Sequence, residues 1–160
     1  MQRSVLVVAA DDPARTVDDL VGTPLGYVNA SCSSSYFAPA LLAARHGRRL
    51  AEQFTLVLTP PWQAQIDAVL DGTVRATMVL EDVWAATPAN ADRTRIVDRV
   101  DGLAPPVVLA RADLDAAVRD PLLAELLAWQ PPPGAIYGPF VPFDDAAVAP
   151  FYALLDGLDV

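Results

Sequence analysis

LGYVNASCSSSYFAPALLAARHG, residues 25–47, is the stretch on which the fold turns. A short apolar run at residues 25–28 ends directly at the polar cluster NASCSSS. Residues 35–46 then read as a helix, with Leu41, Leu42 and Ala44 on an apolar stripe and Gly47 as its stop. A strand therefore passes through a hydroxyl-rich junction into a helix.

The same alternation extends in both directions. Upstream, SVLVVA (residues 4–9) is a continuous β-branched run ended by DDP, a buried strand followed by a turn. TVDDLVG after it is one helical turn closed by Gly22. Downstream, FTLVL (54–58) is a third strand stopped by Pro60 and Pro61. Residues 63–70 form a helix with Ile66, Val69 and Leu70 at helical spacing, 74–80 a fourth strand, and 81–86 a short helical turn. Strand and helix in alternation predict an α/β fold, a three-layer, mainly parallel sheet with helices on both faces. RIVDRV (95–100) and PVVLA (106–110) read as two further strands. The longest helical pattern runs over 114–129, with Leu122, Leu123, Leu126 and Leu127 as its expected buried face, and a last helix covers 146–155 beyond the PPPG break at 131–134. No internal repeat is present.

With 160 residues, 53% hydrophobic and 19% charged, the chain has material for one core and reads as a single globular domain, 1–160. The net charge is −9, and all eleven basic residues are arginines. Such a surface repels phosphate backbones and anionic lipid, so neither nucleic acid nor membrane is an expected partner. Cys32 is the single cysteine, which excludes an intrachain disulfide. The six-residue apolar run at 5–10 is too short for a signal-peptide core or a membrane span, an expectation of a cytoplasmic chain as given.

In open parallel sheets ligands sit outside the carboxyl ends of the strands, and anions favour helix N-termini. Ser31, Ser33, Ser34 and Ser35 fall at such a junction, where hydroxyls and free amides replace the hydration shell of a phosphate, phosphonate, carboxylate or sulfate. Tyr36 adds a phenol or a stacking face. Capping accounts for one serine, at about 1 kcal/mol, but not for four.

NASCSSSYFAP (29–39) resembles the DPSSTSGYxxP-type loop of the phosphonate, phosphate and phosphite class of ABC-transporter substrate-binding proteins, which have the type II periplasmic-binding-protein fold. TVDDLVGTPLGYV, QIDAVLDGTVRATMV, GLAPPVVLARADL and PFVPFDDAAVAPFYALLDGL resemble further segments of that family in the same order. The resemblance implies non-catalytic binding of a small anionic or polar ligand by Ser31, Ser33, Ser34 and Tyr36. Ser35 stands where the family has glycine, and Trp62, within TPPWQ, where it often has a ligand-binding histidine. Family members are extracytoplasmic and have two lobes. By that comparison residues 11–100 form the second lobe, with 1–10 and 101–160 as crossing strands and a remnant of the first. An incomplete first lobe would expose apolar surface on the 114–129 helix and near Phe140, Phe143 and Phe151, to be covered by a second copy in a homodimer or by a partner polypeptide. The alternative is an intracellular ligand sensor, or an enzyme-like metabolic protein of hydrolase or lyase type, built on the same fold.

Catalytic and metal chemistry find little support in the residues. Cys32 and His46 are about three helical turns apart, ~15 Å along the axis, too far to form a nucleophile and base pair. His46 is the single histidine, the aspartate pairs at 11–12, 18–19 and 144–145 lack the spacing of a calcium loop, and no motif for a cofactor is present. No catalytic residue, metal or cofactor is expected. Trp84 reads as structural and Trp129 as core or interface.

Overall fold

The run of β-branched residues after Arg3 is apolar on both faces of a strand, and it lies at the heart of the sheet. The computed structural model describes residues 1–60, 62–135 and 137–158, without the side chains at 62 and 63. β1 (Gln2–Ala9) buries five consecutive residues, Ser4 to Val8. It runs antiparallel between β4 (Ala76–Leu80), with Val5 opposite Val79, and β5 (Thr94–Leu103), with Val5 opposite Arg99. β2 (Thr23–Tyr27) is parallel to both β3 (Phe54–Leu58) and β4. The order is β3-β2-β4-β1-β5. β2, β3, β4 and β5 thus point one way and β1 the other, so the sheet is mainly parallel.

Alternation along β1 divides the core. Leu6 and Val8 face one layer, packed with Leu20 of a 3₁₀ turn (Val17–Leu20), Leu41 and Leu42 of α1 (Ala38–Arg45), Leu50 of α2 (Leu50–Gln53) and Phe151 of α7 (Asp145–Leu155). Val5 and Val7 face the other, against Ile66 of α3 (Trp62–Leu70) and Trp84 of α4 (Glu81–Ala85). The Trp84 indole N–H donates to Thr94 Oγ1 at 2.9 Å, beside α5 (Ala89–Arg93), and this fixes it as a structural residue.

Local chemistry sets the element ends. Thr16 and Asp19 form a capping box on the 3₁₀ turn. Gly47, at φ 69°, ends α1: its N–H bonds Ala44 O and the Arg48 N–H bonds Ala43 O, both at 3.0 Å, a Schellman arrangement that needs the left-handed residue between.

Beyond Leu103 the expected strand at 106–110 is absent. Pro105 and Pro106 cannot donate to a ladder, and Val108 and Leu109 are exposed. α6 (Ala116–Ala128) forms as the periodicity predicts, but the expected burial of its leucines does not occur. Leu122, Leu123 and Leu127 are exposed and Leu126 is half-buried. Periodicity identifies an apolar face without supplying a layer to cover it. Phe140 and Phe143 are exposed as anticipated, whereas Phe151 is only 4% exposed because α7 packs it into the main core.

Candidate functional site

The carboxyl ends of β2, β3 and β4 and the start of β1 meet at one end of the sheet, and the loop after β2 lies across them. The Ser4 hydroxyl lies between the carbonyl oxygens of Ser34, at 3.0 Å, and Val79, at 2.8 Å, tying the loop to the start of β1 and the end of β4. The Thr59 N–H donates to Tyr27 O at 2.8 Å, fixing the end of β3 to that of β2. Beneath the loop, the buried Gln65 amide donates to Gly26 O at 3.1 Å and to Thr77 Oγ1 at 3.0 Å.

Residues Ser33–Phe37 wind as a π-turn that runs into α1, with the Phe37 N–H bonded to Cys32 O at 3.1 Å. The wide turn leaves its leading N–H groups without partners in the turn, and single π-turns of this kind favour functional sites. Asn29 Oδ1 orders the loop by accepting from both the Ser31 N–H, at 2.9 Å, and the Ser31 hydroxyl, at 2.8 Å.

The serines divide into two sets. Ser31 is exposed and Ser33 half-buried, both toward the open side. Ser34 and Ser35 are buried, and Ser35 Oγ accepts the Val28 N–H at 3.1 Å. Tyr36 is half-buried, its ring 6.1 Å from that of Tyr27 and edge-on to Phe37. The side chain of Trp62 lies outside the described residues; its backbone opens α3.

Cys32 reports on the character of this spot. Its Sγ is 3.3 Å from Ser34 Oγ, and hydroxyl and backbone N–H groups of Ser34 and Ser35 converge on it. Burial pushes the thiol up, but those hydrogen bonds together outweigh burial and leave it below its ordinary range. Hydroxyl and N–H groups thus gather at this turn. The arginines at this end are engaged elsewhere: Arg3 pairs with Glu81 at 3.0 Å and with Asp101, and Arg99 pairs with Glu81 at 3.3 Å.

Tyr137, which the sequence pattern did not single out, is half-buried. Burial, and next to it the electrostatic influence of Cys32, raise its phenol above the ordinary range. A concavity of about 470 Å³ lies between α4, at Asp82, Ala85 and Ala86, and the turn at Gly134 and Ala135. A second, of about 350 Å³, is remote from the loop, between the end of α1, α2 and Leu158. His46 faces Asp18 at 3.4 Å, far from Cys32 in role as in sequence. Among the described residues there is no cluster of three metal-ligating side chains, and no helix is long and apolar enough to cross a membrane.

Residues 1–135 match the family described as ABC transporter, phosphonate, periplasmic substrate-binding protein. No curated protein matches. Among solved structures, XAC2383 from Xanthomonas citri, bound to chloride ion, is similar with a TM-score of 0.73 at 21% identity, over 98% of this chain and 66% of that one; the same protein is also known bound to ATP. A binding protein component of an ABC phosphonate transporter from Pseudomonas aeruginosa gives 0.72 at 15% identity, over 96% of this chain and 56% of that one. PhnD1 from Prochlorococcus marinus, in complex with methylphosphonate, gives 0.54 at 15% identity, over 62% and 41%. The chain thus spans less than two thirds of the length of these relatives, and what it shares with them is the type II periplasmic-binding-protein fold.

Proposed function

The chain belongs to the ABC-transporter phosphonate periplasmic substrate-binding protein family, and from that premise we propose that it holds a small oxyanion of the phosphonate or phosphate class, without catalysis, at the loop of residues 29–36. One observation carries the proposal: the π-turn Ser33–Phe37 gathers backbone N–H and hydroxyl groups at the carboxyl end of β2, with Ser34 Oγ 3.3 Å from Cys32 Sγ and Ser31 and Ser33 not buried. A tetrahedral oxyanion over the same π-turn meets the Ser33 hydroxyl from the open side, and the Ser31 hydroxyl once its proton turns away from Asn29 Oδ1, with the Tyr36 ring as a wall. Donation from neutral groups suits a small, strongly hydrated anion, because pre-aligned N–H and O–H groups replace its water shell. The methylphosphonate of the Prochlorococcus protein, and the chloride and ATP of XAC2383, are all anions.

The loop forms one wall of a cleft. Exposed Val108, Leu109, Leu122, Leu123, Val141 and Phe143 support contact with further polypeptide, a second copy or another partner.

Thermal unfolding with methylphosphonate, phosphate, phosphite and sulfate tests the proposal. Occupancy at a hundred times the dissociation constant stabilises by about 2.7 kcal/mol. The combined Ser33→Ala and Ser34→Ala variant should lose that shift. A flat response to every oxyanion, or a shift intact in the double variant, would refute it.

A further inference from the structure

No residue of α6 is buried, and only Leu126 is half-buried. Asp115 caps the helix, accepting the Ala117 N–H at 2.8 Å, but Pro121 in its second turn removes the bond that would reach Ala117 O. A helix of 13 residues with such an interruption is marginal in water by itself, because most helical stability in proteins comes from packing an apolar face. α6 has the face and lacks the packing. Of the sixteen exposed large hydrophobic residues, thirteen lie beyond residue 104. The four aromatics among them, near half exposed, offer roughly 300–450 Å², and the aliphatic ones bring the apolar surface on offer to the order of the ~800 Å² per partner that a stable dimer buries.

The stripe on α6 also says what fits it. Its exposed members are Val118, Leu122, Leu123 and Leu127, each between 38% and 56% exposed. Their spacing is the same read from either end, about a midpoint between Leu122 and Leu123. A second α6 laid end for end therefore presents the same stripe, with Val118 level with the partner's Leu127 and the leucine pairs meeting at the two-fold axis, which is the self-complementarity an isologous contact requires. That direction sets the positive N-terminal end of each helix beside the negative C-terminal end of the other. It also brings Arg119, bonded to Asp120 at 2.8 Å, to the last turn of the facing helix, where carbonyl oxygens lack partners within the helix. A parallel pair would set like ends, and the two copies of Arg119, side by side.

We propose that α6 is a dimerisation helix: its Val118–Leu127 stripe docks antiparallel on the same stripe of a second copy of this chain, about a two-fold axis at Leu122 and Leu123. The pairing covers the apolar face that the rest of the chain leaves open and holds α6 helical across Pro121. It involves no oxyanion, so it stands apart from the ligand reading.

Sedimentation velocity on the 160-residue chain, followed over about a hundredfold range of concentration, is the experiment. The wild type should pass from one chain to two as concentration rises. Leu122→Glu, which sets carboxylates where the stripes meet, should weaken that association by at least ~100-fold. Leu122 belongs to no core cluster, so at monomeric dilution this variant should unfold with the wild type. Cysteine pairing reads the direction. Under mild oxidation Leu122→Cys, next to the two-fold axis, should form a covalent dimer. Val118→Cys should not, because its copies lie about 13 Å apart along the axis, beyond disulfide reach, and Val118→Cys/Leu127→Cys should cross-link again. The wild type, which keeps Cys32, is the control. A dimer that survives Leu122→Glu, or Val118→Cys cross-linking as readily as Leu122→Cys, would overturn the proposal. So would a wild type that stays a single chain at every concentration, which would assign the surface to a different polypeptide.

Discussion

Gly26 sits where β2 runs closest to its neighbours, and replacing it by alanine gives a sharp test of how the floor of the site is packed. A methyl at position 26 would stand 2.9 Å from Thr59 Oγ1 and 3.4 Å from both Thr77 Oγ1 and Val74 Cγ2. The first contact is closer than side-chain carbons approach, so something must move. Thr77 is fully buried and held by Gln65 and Gly26 O, which leaves Thr59 to give way. Its backbone is tied to Tyr27 O, whereas its hydroxyl makes only a long contact, 3.4 Å, to the same oxygen. Overpacking of this kind costs about 1–3 kcal/mol. Gly26 does not have a positive φ, so alanine also gains about 0.4–1 kcal/mol through the unfolded chain. The net loss is ~1–2 kcal/mol, and urea denaturation should show it as a midpoint lowered by roughly 0.5–1 M at the usual slope. Thr59→Ala removes the obstructing oxygen, and in the double variant Gly26→Ala/Thr59→Ala the two effects should fall short of additivity by about 1 kcal/mol. An unchanged or raised midpoint for Gly26→Ala, or strict additivity, would refute the packing argument.

Two further outcomes follow from the same structure. Ser35→Ala leaves the half-buried Val28 N–H without its acceptor, and should lower stability by about 1 kcal/mol in urea, whereas Ser31→Ala, at an exposed hydroxyl, should leave the midpoint in place. Asp12 is held below the ordinary carboxylate range chiefly by its hydrogen bonds from Arg75, against the opposing effect of burial. Its folded pKa lies below the unfolded value, so its contribution is present above about pH 4 and is lost as pH falls through the folded value. Asp12→Asn should therefore melt lower than the wild type at pH 7, and the two melting curves should converge in acid; a constant gap at every pH would exclude the ion pair as the cause.

Much of the fold was legible because its core strands and helices carry their own instructions. The β-branched run of β1, the 3.6-residue spacing of Ile66, Val69 and Leu70, and the glycine at 47 each state locally what the tertiary structure requires. The short helices α2 and α5 were not legible, since four or five residues hold too little of a period. The 106–110 run has strand composition but opens on the second of two consecutive prolines and pairs with no strand, and strand composition without a partner does not make a strand. The serine cluster was legible as a junction, but its division into inward Ser34 and Ser35 and outward Ser31 and Ser33 depends on the π-turn, for which sequence offers no signal.

That division bears on how an acidic chain would bind the oxyanion proposed for it. At a net charge of −9, long-range electrostatics oppose the approach of a negative ligand, and the arginines nearest the loop are already engaged by Glu81 and Asp101. What favours the ligand is therefore short-ranged: N–H and O–H dipoles fixed by a turn that is itself anchored through Ser4, Ser35 and Asn29. The N–H groups of such a turn need no reorganisation on binding an anion, and are worth most where water is excluded. Their effect depends on geometry rather than on charge, so added salt should weaken binding far less than it would for an arginine-based site. The loss of a single anchor, Ser35 above all, should weaken binding even though the hydroxyls that face the ligand remain.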